Sequence, residues 1–180
     1  MPNSRCEFDI AVRILDPAWR RLWPAAVGVA RGAALTVLNR IVNGPLPHGS
    51  QAVELAIVLA DDGEVRRLNC EYRGIDKPTN VLSFAGSGER RGRVAGEPVI
   101  LGDVILARET VAAEAATQGK SIADHALHLV VHGVLHLLGH DHKSAREADA
   151  MEALEIDLLA GLGIPNPYVA RAGRRARQQA

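Results

Sequence analysis

The sequence has few aromatic residues: two Trp, two Tyr and two Phe in 180. Base-stacking platforms of the single-strand-binding kind need interleaved aromatics, and that class is excluded. Cysteine is nearly absent. Cys6 and Cys70 cannot build a disulfide framework and fit a reducing cytosol. No run of about 18 apolar residues occurs, so no transmembrane helix is expected. The start, MPNSRCEFD, lacks the charged-then-apolar order of a signal peptide, and the expected location is the cytoplasm. An excess of one charge is missing too. Lys+Arg and Asp+Glu stand at 21 each, so no strongly basic nucleic-acid-binding surface shows in the net charge.

What is present is an aliphatic, alanine-rich chain of one-domain length, 47% hydrophobic and 23% charged, which reads as globular rather than disordered. Basic residues cluster locally at Arg66, Arg67, Arg73, Lys77, Arg90, Arg91 and Arg93, and again at Arg171, Arg174, Arg175 and Arg177. Taken alone, such clusters are a solvated face and a frayed terminus.

Periodicity divides the chain. Residues 6–14 alternate and read as a strand. Asp16-Pro17 supplies an N-cap followed by proline at the first helical position. The helical stretch runs to about Val42; Trp23-Pro24 breaks or restarts it and Asn43-Gly44-Pro45 ends it. Residues 52–60 form a second strand. Asp61-Asp62-Gly63 is a turn that can cap a short helix over 63–72, and 73–79 is a loop. NVLSFA, 80–85, is a third strand, 86–96 a surface loop, and 98–107 a fourth strand with a break point at Gly102. Helices follow over 107–118, 122–138 and 144–161, with Gly119 ending the first and Ser121 and Asp124 marking a capping box for the second. The 122–138 helix is apolar nearly all round and should be buried. The expected architecture is α/β (α+β): a single domain with a mixed four-stranded sheet packed between helices, the last two strands antiparallel. Residues 1–167 form one unit, and 168–180 a basic tail.

The chemistry concentrates in 132–142, HGVLHLLGHDH. His132 and His136 are four apart, on one helix face and one turn apart. Gly139 can stop the helix at positive φ and let His142 approach from outside. Three imidazoles leave one position of a tetrahedral zinc open, as a catalytic metal requires. His125 and His128 lie too far along the helix to join the same ion, at about 1.5 Å rise per residue, and read as packing or supporting groups. His140 could face substrate, and Asp141 could orient a ligand imidazole. The spacing H-x3-H-x2-G-x2-H is that of metzincin proteases. Those enzymes carry Glu after the first histidine as general base; here that position is Gly133, which disfavours peptide hydrolysis.

HGVLHLLGHDH resembles the signature of the YbeY family, bacterial single-strand-specific endoribonucleases of ribosomal RNA maturation. YRGIDKPTNVLSF (72–84), LGDVI (101–105) and MEALE (151–155) resemble its further motifs, in order, over about residues 52–168. His140 stands where the family commonly has Tyr, and Ala85 where it usually has Pro. The resemblance implies a metzincin-like core with one zinc per chain at the end of the buried helix, held by His132, His136 and His142. It implies a catalytic or RNA-binding role for Arg73, whose planar guanidinium suits phosphate. Lys77 is a weaker candidate for a backbone contact, and Asp103 could bond Arg73 or a loop amide. The implied activity is zinc-dependent cleavage of single-stranded RNA, in maturation of the 16S RNA 3′ end and ribosome quality control. The implied partners are the small ribosomal subunit and a ribosome-associated GTPase or ribosomal proteins, with no membrane. Two other readings stand beside this one: a metzincin-like zinc peptidase with its base supplied from elsewhere, and a non-catalytic, zinc-stabilised ribosome-binding adaptor.

Overall fold

The computed structural model describes residues 7–42, 52–86 and 97–169. Strand β1 (Glu7–Ile14) leads to a short α1 (Trp19–Leu22) and then α2 (Ala26–Ile41). Strand β2 (Ala52–Ala60), helix α3 (Asp62–Arg73), and strands β3 (Val81–Ala85) and β4 (Val99–Ala107) follow. Helices α4 (Arg108–Gln118), α5 (Ile122–Leu137) and α6 (Ala145–Gly161) complete the fold. The break expected at Trp23-Pro24 separates α1 from α2; Asn43-Gly44-Pro45 and most of the 86–96 loop lie outside the described residues, as does the tail expected over 168–180 from residue 170 on, whereas Tyr168 at its start is no tail residue but bonds Glu155 of α6.

The sheet order is β1-β2-β4-β3. β1 pairs β2 and β2 pairs β4 in parallel, while β3 runs antiparallel to β4 at the edge, as the helix-free connection requires. Both faces are covered, which is why AVELAIVLA is apolar almost throughout. On one face Leu55, Ile57, Leu59, Val104 and Leu106 meet α2 and α5 in the main core. On the other, Ala60, Leu82, Ile105 and Ala107 meet Val65 of α3, with Phe84 packed against them.

Three details depart from the sequence reading. Asp16 caps a tight turn rather than regular helix: its Oδ1 accepts from the Ala18 N–H at 2.9 Å and its carboxylate pairs with Arg108, but Pro17 and Ala18 form a turn and regular helix begins only at Trp19. β4 does not break at Gly102. It bulges there: Glu54 pairs with Ile100 and Leu55 with Gly102, so Leu101 is the extra residue. Gly102 takes φ 132°, and a Cβ on it would stand 2.1 Å from the Phe84 carbonyl oxygen, so only glycine fits. Arg73 belongs to the last turn of α3, not the loop, because Gly74 at φ 70° ends that helix.

Helix α5 is the buried element expected. Its residues Ala126, Leu127, Leu129, Val130, Val131, Val134 and Leu135 are all in the core. It crosses the sheet closely at Gly133, whose carbonyl accepts from Ser83 Oγ of β3 at 3.3 Å. At its start, Ser121 Oγ accepts from the Asp124 N–H at 3.0 Å, while the full reciprocal capping box forms at Ser144 and Glu147 of α6.

Candidate metal centre

Helix α5 ends in a Schellman turn. The Gly139 N–H bonds the His136 carbonyl at 3.0 Å, the His140 N–H bonds the Leu135 carbonyl at 3.0 Å, and Gly139 takes φ 89°. The reversal brings His142 back over the helix end. His132, His136 and His142 each present a ring nitrogen, all within 4.8 Å of one another. His132 Nε2 and His136 Nε2 are 3.1 Å apart. Tetrahedral zinc, with Zn–N near 2.0–2.1 Å, spaces its nitrogen ligands roughly 3.3 Å apart. The two helix-borne imidazoles are thus already at ligand separation.

Their protonation pattern fits the same role. Glu155 Oε1 lies 2.7 Å from His132 Nδ1. An ionised carboxylate only accepts, so His132 donates from Nδ1, and Nε2 is the nitrogen turned toward His136. Glu155 is 1% exposed. Burial alone would raise its pKa, but hydrogen bonds from His128, His132 and Tyr168 outweigh it and bring the carboxyl down to about 2. His136 is pushed below its ordinary value by burial and by the neighbouring His132 and His142, so it is neutral and able to ligate.

A second histidine–carboxylate pair lies farther up α5. His125 Nε2 meets Glu114 Oε2 at 2.7 Å, and Glu114 accepts from Asn80 Nδ2 at 3.0 Å. Burial lowers the His125 pKa despite that partner. His125 and His128 therefore serve carboxylates and stand apart from the cluster, in agreement with their spacing. The stripe His125, His128, His132 lines a cleft of about 840 Å³ that also takes in His142, Glu155 and Tyr168.

Asp141 does not orient an imidazole. Its Oδ1 accepts from the His142 backbone N–H at 2.8 Å and its Oδ2 pairs with Lys143 at 2.7 Å, because a short side chain beside a turn bonds locally. His140 is half-buried. Arg73 is exposed and, among the described residues, shares no ion pair with the histidines. It follows Tyr72, whose ring packs on Phe84 of β3 at 5.0 Å. Phe84 neighbours Ser83, which bonds Gly133. Phe84 packs toward α3 and Ser83 toward α5, so edge strand β3 lies between the helix that carries Arg73 and the helix that carries His132 and His136. Asp103, paired in register with Phe84, is exposed on the α3 side; Lys77 is exposed as well.

Glu155 and Tyr168 had no role in the sequence reading. The signal for Glu155 was there: Met151, Glu155, Leu158 and Leu159 form the buried stripe of α6, and an acid on such a stripe needs donors. Tyr168 had no comparable signal.

Fold and cluster together place the chain among α+β proteins with a histidine cluster able to hold a metal at the end of one central helix. The family model for endoribonuclease YbeY matches residues 32–163. The endoribonuclease YbeY of Paramagnetospirillum magneticum is 55% identical over 162 residues, spanning 89% of this chain and 96% of that protein. That of Rhodospirillum rubrum is 48% identical over 171 residues, spanning 92% and 86%. The chain belongs to the YbeY family. The solution structure of TM1509 from Thermotoga maritima shares the fold, with a TM-score of 0.52, 20% identity, and coverage of 85% of this chain and 91% of that one. Among the described residues no helix is long and apolar enough to cross a membrane.

Proposed function

We propose that this chain is a zinc-dependent endoribonuclease that cuts single-stranded RNA in the cytoplasm, at the 3′ end of 16S ribosomal RNA and in ribosome quality control. The small ribosomal subunit, ribosomal proteins and a ribosome-associated GTPase are its proposed partners. The observation that carries the reading is the convergence of His132, His136 and His142 beside a helix position that cannot hold a metzincin base. A Cβ on Gly133 would stand 2.6 Å from Val104 Cγ1, against the sheet. Zinc held by the three imidazoles supplies Lewis-acid polarisation of a phosphodiester oxygen.

The chain's own residues divide the remaining work. His132 and His136 meet the metal from the helix, and His142 completes the cradle from the turn after Gly139. Arg73 contributes a bidentate contact to the phosphate that gains charge, and Lys77 a backbone contact. Because β3 is an edge strand, with α3 on one side and α5 on the other, the proposed path of the RNA crosses that edge between Arg73 and the histidines. A peptide has no phosphates for those cations.

The test uses purified protein with single-stranded RNA, duplex RNA and peptide substrates. Cleavage of the single strand alone, lost on chelation and restored by zinc, is expected. Peptide hydrolysis without RNA cleavage, or RNA cleavage indifferent to chelation, overturns the reading.

A further inference from the structure

Three donors surround the two oxygens of one buried carboxylate. His132 Nδ1 is 2.7 Å from Glu155 Oε1, His128 Nε2 is 2.8 Å from Oε2, and the Tyr168 hydroxyl bonds Oε2 as well. The donors come from α5 and from the segment after α6, and the acceptor from α6. His128 and Tyr168 also meet edge to face, with ring centroids 5.5 Å apart.

We propose that Glu155 is the positioning residue of the histidine cluster: its carboxylate fixes His132 in the tautomer with Nε2 free, and Tyr168 holds that carboxylate in place. The metal side of this proposal rests on the cluster's being a zinc cradle; the tautomer side does not.

The alternatives for the carboxylate are poor. Were His132 protonated at Nε2 instead, Glu155 Oε1 would lose its donor inside the protein, and His132 would have no lone pair on the nitrogen that faces His136 and the metal position. Held by Glu155, the ring can neither flip nor change tautomer, and the carboxylate raises its basicity. Tyr168 adds the third donor. It also ties the segment after α6 to the cluster, since Lys120 Nζ of the α4–α5 turn bonds the neighbouring Pro167 carbonyl at 2.7 Å. A core acid with a purely structural role would lower thermal stability when replaced and leave the ring tautomer and metal affinity alone.

The test uses full-length protein carrying Glu155→Gln or Tyr168→Phe, with His125→Gln as the control, because His125 bonds Glu114 in the same cleft without touching the cluster. Zinc affinity is read by chelator competition, and the His132 tautomer by ¹⁵N shifts of the metal-free protein. Glu155→Gln offers one acceptor and one donor where two acceptors stood, so it should weaken zinc roughly 10–100-fold and leave His132 in mixed tautomers. Tyr168→Phe keeps the ring contact and should cost roughly 10-fold or less. His125→Gln should leave zinc affinity unchanged. Wild-type affinity with His132 still protonated at Nδ1 in folded Glu155→Gln overturns the proposal. If that variant does not fold, an unchanged affinity and tautomer in Tyr168→Phe overturns it. Wild-type zinc binding by His132→Ala overturns the metal reading instead, and the tautomer measurement still decides the role of Glu155.

Discussion

Gly133 and Val104 are in such close register that α5 rests on β4 with no room for a side chain between them: a Cβ at 133 would lie 2.6 Å from Val104 Cγ1 and 3.1 Å from Ser83 Oγ. The position is a packing point, one residue from His132. Gly133→Ala should therefore destabilise the protein by about 1–3 kcal/mol, as overpacking does. That lowers Tm by roughly 2–12 °C in a chain of this size, read by thermal melts. Gly133→Glu should give no peptidase activity, because its carboxylate would point at the sheet.

His136→Ala should reduce zinc from about one per chain to near zero, measured by metal analysis of the purified protein. Two remaining imidazoles seldom hold the ion tightly. Stoichiometric zinc in this variant would mean that the cradle lies elsewhere on the α5 stripe.

Arg73→Glu should lower RNA cleavage by roughly 10²–10³-fold, the scale of losing one charge-stabilising group. Folding and zinc content should stay at wild-type levels, since Arg73 is exposed at the end of α3 and outside the histidine cluster. Cleavage rates beside circular dichroism and metal analysis check this.

The His125 ring is held neutral by burial, with its pKa below the ordinary value of 6.5. The unfolded chain takes up that proton near pH 6.5, so it binds more protons than the folded chain as pH falls. Stability should hold above about pH 6.5 and decline below it, through the depressed folded pKa. Melts of metal-free protein across that range should show the decline, and His125→Gln should make it shallower, leaving the share that His136 contributes.

Much of the site was legible because it is local. The i, i+4 pair, the helix-stopping Gly139 and the returning His142 obey rules of one helix and one turn, and they meet as those rules require. The strands were legible for a similar reason, since two-sided burial makes β2 and β4 apolar but for Glu54 and Asp103. Glu155 was hidden because its meaning depends on α6 packing against α5, and Tyr168 because a segment without periodicity folds back onto that pair. The contiguous run 72–84 misled in a subtler way. It reads as one motif, yet Phe84 faces Tyr72 of α3 while its neighbour Ser83 faces α5. Strand alternation splits a single stretch between two faces of the sheet. Asp141 failed as an imidazole partner because its own backbone neighbour was nearer.

All three clustered imidazoles fall between residues 132 and 142, so a denatured chain keeps them near one another. Ligand that binds both ends of the unfolding equilibrium protects by less than its native affinity implies. Added zinc should consequently raise the melting temperature by less than the native dissociation constant alone would dictate. The part of the affinity that distinguishes folded from unfolded chain then comes from what only the fold supplies: the α5 helix and Gly139 turn that fix the three rings, and Glu155, which reaches His132 only after α6 has docked.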